Sequence, residues 1–302
     1  MPSHHPALGA LPARFRRLRV LIVGYGDIGQ RAARALPPRV RVLALVREAA
    51  HAPELRAQGV QPLPGDLDHA ASLRRLAGIV THVIHLAPPP GAGDGDPRTA
   101  ALLRALARRS VPRALVYGST SGVYGDCGGA LIDETHPLNP QNARARRRVA
   151  AEAQVRAFGR AASVRCTILR IPGIYAPDRM DGTPHERLLR GTPALTPDDD
   201  VYTNHIHADD LARACIAALW RGKPQRVLHA SDDSQLRMGD YFDLAAGLYG
   251  LPRPPRIPRA AARQQLTPAT LSFMSESRRL DNTRLKRELR LRLRYPTPHA
   301  GL

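Results

Sequence analysis

The chain has 302 residues, 43% of them hydrophobic, and a formal net charge of +19 from 45 basic and 26 acidic side chains. That length suits one large α/β domain, or a nucleotide domain with a smaller lobe, and no apolar run approaches the roughly 18 residues of a membrane span. The start, MPSHHPALGALPARFRR, lacks a signal peptide's succession of charged, apolar and small-residue regions, and Cys127, Cys166 and Cys215 have neither disulfide nor metal spacing, so a reducing, cytoplasmic setting is expected. The charge does not argue for nucleic acid. Only Lys223 and Lys286 are lysines, the arginines are scattered through every predicted helix, and four Phe and one Trp give little for bases to stack on. Such an Arg-, Ala- and Pro-rich composition reads as GC-rich codon usage.

Residues 1–14, rich in Pro and His, are expected to be disordered. Leu18–Val23 is apolar and largely β-branched, which suits a buried strand, and Gly24, Gly26 and Gly29 follow at GxGxxG spacing before an Ala/Arg-rich helix. In a strand–turn–helix of this kind one glycine permits the turn, one lets a pyrophosphate approach the backbone, and one lets helix and strand pack closely. The phosphates would meet free N–H groups and the positive end of the helix dipole. Tyr25, Asp27 and Ile28 lie inside this loop, with Asp27 expected to point to solvent at the helix start.

Further along, strands are predicted at Val40–Val46, Gly59–Leu63, His82–Leu86, Ala114–Tyr117 and Val164–Leu169. Helices are predicted at Pro53–Gln58, Arg98–Ser110 and roughly Pro140–Arg160. This alternation means a Rossmann-type, doubly wound parallel sheet. From Ile171 five prolines interrupt the rhythm until Val201–Ile206, a helix at Asp209–Arg221 and a strand at Arg226–His229; Arg278–Arg290 reads as a last helix. The nucleotide domain is therefore expected over residues 15–170, with 204–230 contributing core elements, and a smaller substrate lobe over 171–203 and 231–302.

Six landmarks carry a resemblance: the glycine loop, Gly65-Asp66, YGSTSGVYG at Tyr117–Gly125, ETHPLNP at Glu134–Pro140, LRIPGIYAP at Leu169–Pro177 and NHIHADDLA at Asn204–Ala212, with NTRLKREL following at Asn282–Leu289. In that order they resemble the extended short-chain dehydrogenase/reductase superfamily, specifically its NAD-dependent epimerase/dehydratase group and the nucleoside-diphosphate-sugar epimerase-like branch. Val23 departs from the pattern, which usually has a third glycine there.

The resemblance implies a Ser or Thr after the fifth strand, then a Tyr and a Lys four residues apart on the next helix. The Tyr is the acid/base on a substrate hydroxyl, and the Lys lowers its pKa and holds the nicotinamide ribose. Thr120 falls on the first position. Counting back eight residues from Glu152 places Arg144 at the Tyr and Arg148 at the Lys, a register that Pro140-Gln141-Asn142-Ala143 supports. A guanidinium stays protonated at any working pH, so Arg144 cannot be a general acid/base, while Arg148 can still hydrogen-bond a ribose. Tyr124, Tyr175 and Tyr202 are the replacement candidates, each also readable as a packing residue.

At the adenosine end, the resemblance places Gly65-Asp66 near adenine, with Leu67 and Ala87 beside it; Asp66 reads equally well as a turn residue. Arg47, at the end of the second strand where an NAD-preferring protein carries a carboxylate, favours NADP, with NAD as the alternative; Glu48 would reverse the preference if the strand ran one residue longer. His205, His207, Asp209 and Asp210 are close enough to suggest a metal, but Asp209 or Asp210 is expected to cap a helix, and no metal site is expected. The two cations Arg144 and Arg148 suit a phosphate- or carboxylate-bearing small molecule. No membrane or nucleic-acid partner is expected, and the pattern is compatible with a homodimer. The rival reading is a dinucleotide-binding sensor or regulator that has kept the fold and lost the chemistry.

Overall fold

The protein is described here by a computed structural model, which covers residues 18–179 and 182–302. Residues 1–14, expected to be disordered, lie outside the described residues. In chain order the elements are β1 (Arg19–Val23), α1 (Asp27–Ala35), β2 (Arg41–Val46), α2 (Ala52–Ala57), β3 (Gln61–Pro64), β4 (His82–His85), α3 (Pro97–Leu106), β5 (Ala114–Thr120) and β6 (Leu131–Ile132). Then come α4 (Ala143–Ala161), β7 (Arg165–Ile171), β8 (Gly173–Tyr175), α5 (His185–Leu189), β9 (Ala194–Leu195), β10 (His205–His207), α6 (Ala208–Arg221) and β11 (Arg226–His229). The chain closes with α7 (Met238–Tyr249), β12 (Arg256–Ile257), α8 (Arg259–Gln265), α9 (Pro268–Phe273), β13 (Arg279–Leu280) and α10 (Thr283–Glu288).

Seven strands form one parallel sheet in the order β11-β7-β5-β4-β1-β2-β3. This is the doubly wound sheet the alternation predicts. Leu21 on β1 sits between Leu43 of β2 and Val83 of β4. The central strands are buried on both faces, which is why β1 and β2 read as apolar runs after their first residue. Successive side chains then go to opposite layers: Val20 and Ile22 join the core beneath α1 and α6, Leu21 and Val23 the core beneath α3 and α4. The winding reverses between β1 and β4, and in open α/β sheets a ligand crevice lies at that switch point, outside the carboxyl ends of the strands. A separate apolar cluster joins α5, β9, α7 and α8 around Leu188, Leu195, Met238, Tyr241, Phe242 and Ala262.

The helix expected at Arg98–Ser110 ends at Leu106, and three other predicted elements need larger correction. The long helix begins at Ala143 rather than Pro140, because Asn142 caps it, its side chain accepting from Ala145 N at 2.9 Å. The expected strand Val201–Ile206 shrinks to His205–His207, paired in parallel with β8. Residues 278–290 are not one helix. Arg279–Leu280 pairs with Leu131–Ile132 instead, Asp281 accepts from Thr283 N at 2.8 Å, and the Asn282 amide donates to the Ser231 and Asp232 carbonyls, both at 2.9 Å. Those side chain–backbone bonds offer the chain an alternative to helix, and α10 starts only after them. Among the described residues no helix is long and apolar enough to cross a membrane.

Candidate functional site

The glycine loop joins β1 to α1 at the switch point. Gly24 has φ +91°, and a Cβ there would lie 2.4 Å from the Ala87 amide nitrogen, so only glycine lets the turn cross the end of β4. A Cβ on Gly29 would lie 2.7 Å from the Gly24 carbonyl oxygen, which makes it the close-packing glycine. Gly26 is different. It is the N-cap of α1, offers no side-chain cap, and its missing Cβ would point into open space. The free amides of the first turn thus face open space, as an anion approaching a helix N-terminus needs. Asp27 does not point to solvent as expected: it accepts from Arg31 Nε at 2.8 Å and faces Arg179 Nε at 3.2 Å, drawn inward by two guanidiniums. Arg31 also donates to Asp209 (2.6 Å) and Asp178 (2.7 Å), tying α1 to α6 and to the loop after β8.

Two cavities adjoin the loop on the adenosine side. One, of about 280 Å³, is lined by Tyr25, Arg47, Asp66, Leu67, Ala87 and Arg98 among others. The other, of about 300 Å³, is bounded by Tyr25, Arg47 and Glu48. Arg47 is exposed and makes no ion pair among the described residues, whereas Glu48 does not reach the cavity of Asp66. The Asp66 carboxylate accepts from Asp68 N at 3.0 Å and contacts His69 Nδ1 at 3.1 Å; that backbone bond holds it below the usual carboxylate range. Asp66 is therefore both the turn residue and a wall of this cavity.

On the other side of the loop, a cavity of about 530 Å³ runs from Gly24, Gly26, Asp27, Ile28 and Gly29 across the end of β5. Thr120, Arg144 and Arg148 are among the residues that line it. Thr120 Oγ1 accepts from Gly122 N at 3.2 Å. Arg148 Nη1 donates to the Gly118 carbonyl (2.7 Å) and to the Tyr117 hydroxyl (3.1 Å), and its other nitrogens have no hydrogen-bond partner among the described residues. Arg144 is exposed, lies over the Phe273 ring at 5.5 Å, and makes no ion pair among the described residues.

Tyr124 is not in this cavity. It is 1% exposed, inside a buried polar network. Arg170 Nη1 donates to its oxygen at 2.5 Å, and its hydroxyl donates to His229 Nε2 at 2.5 Å. The tautomer follows, because His229 Nδ1 faces the Asp281 carbonyl at 2.9 Å, which can only accept. Burial pushes Tyr124 up to about 12 and His229 down to about 4, so neither exchanges a proton near neutrality. Arg170 also clasps Glu152, Nε to Oε1 at 3.2 Å and Nη2 to Oε2 at 2.8 Å, and Ser119 Oγ donates to Glu152 at 2.6 Å. Tyr124 belongs to scaffolding that fixes β5, α4 and β7 together. Tyr175 is likewise buried, edge-on to His205 and His207.

His207, not Asp209 or Asp210, caps α6: its Nδ1 accepts from Asp209 N at 3.2 Å. Asp209 is committed to Arg31, and Asp210, fully buried, accepts from the Arg294 and Tyr295 amides at 2.8 and 2.9 Å. His205 stacks on Tyr241 with ring centroids 4.0 Å apart.

Sequence reasoning missed Phe273, Glu276 and Arg278, which close the far end of the large cavity. Phe273 ends the short helix α9 and the other two follow it, in a stretch, SFMSESRR, with no motif signal. Arg278 Nη1 donates to Glu276 Oε2 (2.8 Å) and to the Gly125 carbonyl (2.7 Å).

Comparison with known proteins places this geometry. The chain is 33% identical to a conserved protein of unknown function from Silicibacter pomeroyi over 94% of this chain and 96% of that one, with a TM-score of 0.76. At 19% identity, a UDP-glucuronic acid 4-epimerase from Bacillus cereus, solved with NAD, shares the fold over 94% of this chain and 96% of that one, with a TM-score of 0.74. A putative UDP-glucose 4-epimerase from Methanocaldococcus jannaschii is 21% identical over 164 residues, half of this chain, and the chain spans about half (52%) of that curated relative's length. The sequence model of the NAD dependent epimerase/dehydratase family matches residues 20–230, and the chain belongs to that family.

Proposed function

We propose that this chain binds a nicotinamide dinucleotide, NADP in preference to NAD, and works as an oxidoreductase or epimerase/dehydratase on an anionic small molecule, with Arg144 and Arg148 in place of the usual Tyr and Lys. The observation that carries this reading is the open cradle at Gly26, continuous with a cavity that both arginines line. The bound dinucleotide would supply hydride transfer. The amides after Gly24 and Gly26 would hold its diphosphate, and Tyr25, Asp66, Leu67 and Ala87 would enclose the adenosine. Arg148, already anchored on Gly118, would donate to the nicotinamide ribose. Thr120 would orient a substrate hydroxyl, and Arg144 would neutralise a substrate charge without moving a proton. The free thiols Cys127, Cys166 and Cys215 suit a cytoplasmic setting.

One observation favours a second reading. Among the described residues, neither Tyr nor Lys lines the 530 Å³ cavity, as a sensor that had kept the dinucleotide and lost the chemistry would require. The test common to both readings is calorimetry with NADP and NAD at one ionic strength. Wild type should prefer NADP by about ten- to a hundredfold, the effect of one charge-assisted contact from the Arg47 fork. Arg47→Ala should erase the preference, and Gly26→Asp should abolish binding through bulk and like charge. Equal affinities in the wild type would remove the NADP assignment; no binding of either at millimolar concentration would remove the cofactor itself.

A further inference from the structure

We infer that Arg179 is a ligand of the cofactor diphosphate, brought across the cavity by the loop after β8, and that Asp27 stands in for the phosphate until the dinucleotide arrives. The inference rests on the dinucleotide occupying the glycine cradle. Two distant parts of the chain meet in the wall of the large cavity. Gly24, Gly26, Asp27 and Gly29 belong to the loop and first turn of α1, and Arg179 joins them from beyond β8. A guanidinium beside the first residue of a helix is unfavourable by itself, because the helix N-terminus is also positive. An anion between the two makes the arrangement favourable.

Asp27 is the anion at that place, and it fills the role poorly. Its Oδ1 accepts from Arg31 Nε at 2.8 Å, a well-formed hydrogen bond. Its Oδ2 lies 3.2 Å from Arg179 Nε, yet this buried oxygen has no hydrogen-bond partner among the described residues. The two groups are in charge contact and out of bonding alignment. Their side chains are 30% and 35% exposed, and a partly solvated pair of this kind holds weakly, so a phosphate oxygen can take the guanidinium over at small cost. Arg31 cannot do the same. It is spent on Asp27, Asp178 and Asp209 and is not on the cavity wall. Arg179, by contrast, is positioned for the exchange. Its Nη1 donates to the Ile174 carbonyl at 2.9 Å, its N–H donates to the Ala176 carbonyl at 3.2 Å, and its carbonyl accepts from Gly182 N at 2.9 Å. These bonds fix the backbone and one edge of the guanidinium, and the Nε edge is the one that faces Asp27. A planar fork held in this way matches two phosphate oxygens. The dinucleotide would then bridge α1 and the loop after β8, bracing the substrate cavity as it binds.

The test is calorimetry of the full chain with NADP, at one ionic strength, for wild type and three variants. Arg179→Met should weaken NADP by about ten- to a hundredfold, the effect of one charge-assisted contact, and should leave the melting temperature within about 3 °C of wild type. Arg179→Lys, which keeps the charge and loses the fork, should recover part of that loss. Asp27→Asn keeps an acceptor for Arg31 and removes the competing charge, so it should tighten NADP by about threefold or more. An affinity untouched by Arg179→Met would overturn the inference. A weaker affinity in Asp27→Asn would overturn it too, because the carboxylate would then support the arginine instead of standing in for the phosphate. No binding of NADP by wild type at millimolar concentration would instead remove the cofactor reading on which the inference stands. The two positions move the affinity in opposite directions, so the Asp27→Asn result decides even if Arg179→Met fails to fold.

Discussion

Glu152→Ala is expected to cost more stability than any single change on the protein's surface. The Glu152 and Arg170 side chains are 1% and 2% exposed. The carboxylate receives both Arg170 nitrogens, the Ser119 hydroxyl and, at 3.3 Å, Arg156 Nη2. Truncation to Ala removes the anion and leaves the Arg170 guanidinium with only the Tyr124 oxygen and the Glu134 carbonyl as acceptors. Breaking a buried pair by deleting one partner costs about 3–5 kcal/mol, because the remaining charge stays desolvated and uncompensated. Total stabilities run to only about 5–15 kcal/mol, so the loss is a large fraction of the whole. At roughly 2–4 °C per kcal/mol for a chain above 150 residues, the melting temperature should fall by about 10 °C. Urea midpoints give the free energy directly, and a double-mutant cycle with Arg170→Met isolates the pair, since removing both charges should recover part of the loss. A loss below about 1 kcal/mol for Glu152→Ala would refute the reasoning, because it would mean that water reaches Arg170.

Two further outcomes follow from the same kind of argument. Gly24→Ala must place a Cβ within 2.4 Å of the Ala87 nitrogen at φ +91°, so it should lower the melting temperature markedly; Gly26→Ala, with open space around its Cβ, should leave the melting temperature within about 2 °C while weakening NADP binding. Equal melting temperatures for the two would contradict the division of labour among the glycines. Burial raises Asp232 to about 7, so the folded state holds a proton there that the unfolded state gives up near pH 4. Its contribution therefore falls as pH rises from about 4 to 7, opposite in sign to the buried histidines His82, His85 and His229, whose depression to about 4 removes stability as pH falls below 6.5. Asp232→Asn should gain stability relative to wild type across that window, read from urea midpoints at pH 5 and 7.5; a difference that is constant with pH would show that Asp232 does not carry the proton.

The sheet was legible because its central strands are buried on both faces and leave short apolar runs such as the VLAL within RVLALV, in alternation with helices. The loop was legible because its glycines answer to backbone geometry within a few residues. Arg144 and Arg148, picked out by counting back from Glu152, both lie on the wall of the large cavity. What could not be read was partnership across the chain. Nothing near Tyr124 in sequence announces that Arg170 and His229 enclose it, 46 and 105 residues away. The cap of α6 was missed for a related reason: His207 took a position that acidic residues usually hold because Arg31 and the 294–295 amides had claimed Asp209 and Asp210. The arginine at 278 looked like one more cation in an arginine-rich chain.

The bonds of Arg31 have a consequence for the order in which the protein can assemble. Its side chain on the glycine-loop helix reaches Asp178 and Asp209, 147 and 178 residues further along. A chain emerging from the ribosome folds from its N-terminal end as segments become available. The residues that cradle the diphosphate are made before the carboxylates that fix their helix, which arrive 147 and 178 residues after Arg31. Until then Asp27 is the single anion near Arg31, and the loop is held on one side only. A nascent chain stalled before Asp178 would carry the whole glycine motif and lack the rigid form of it.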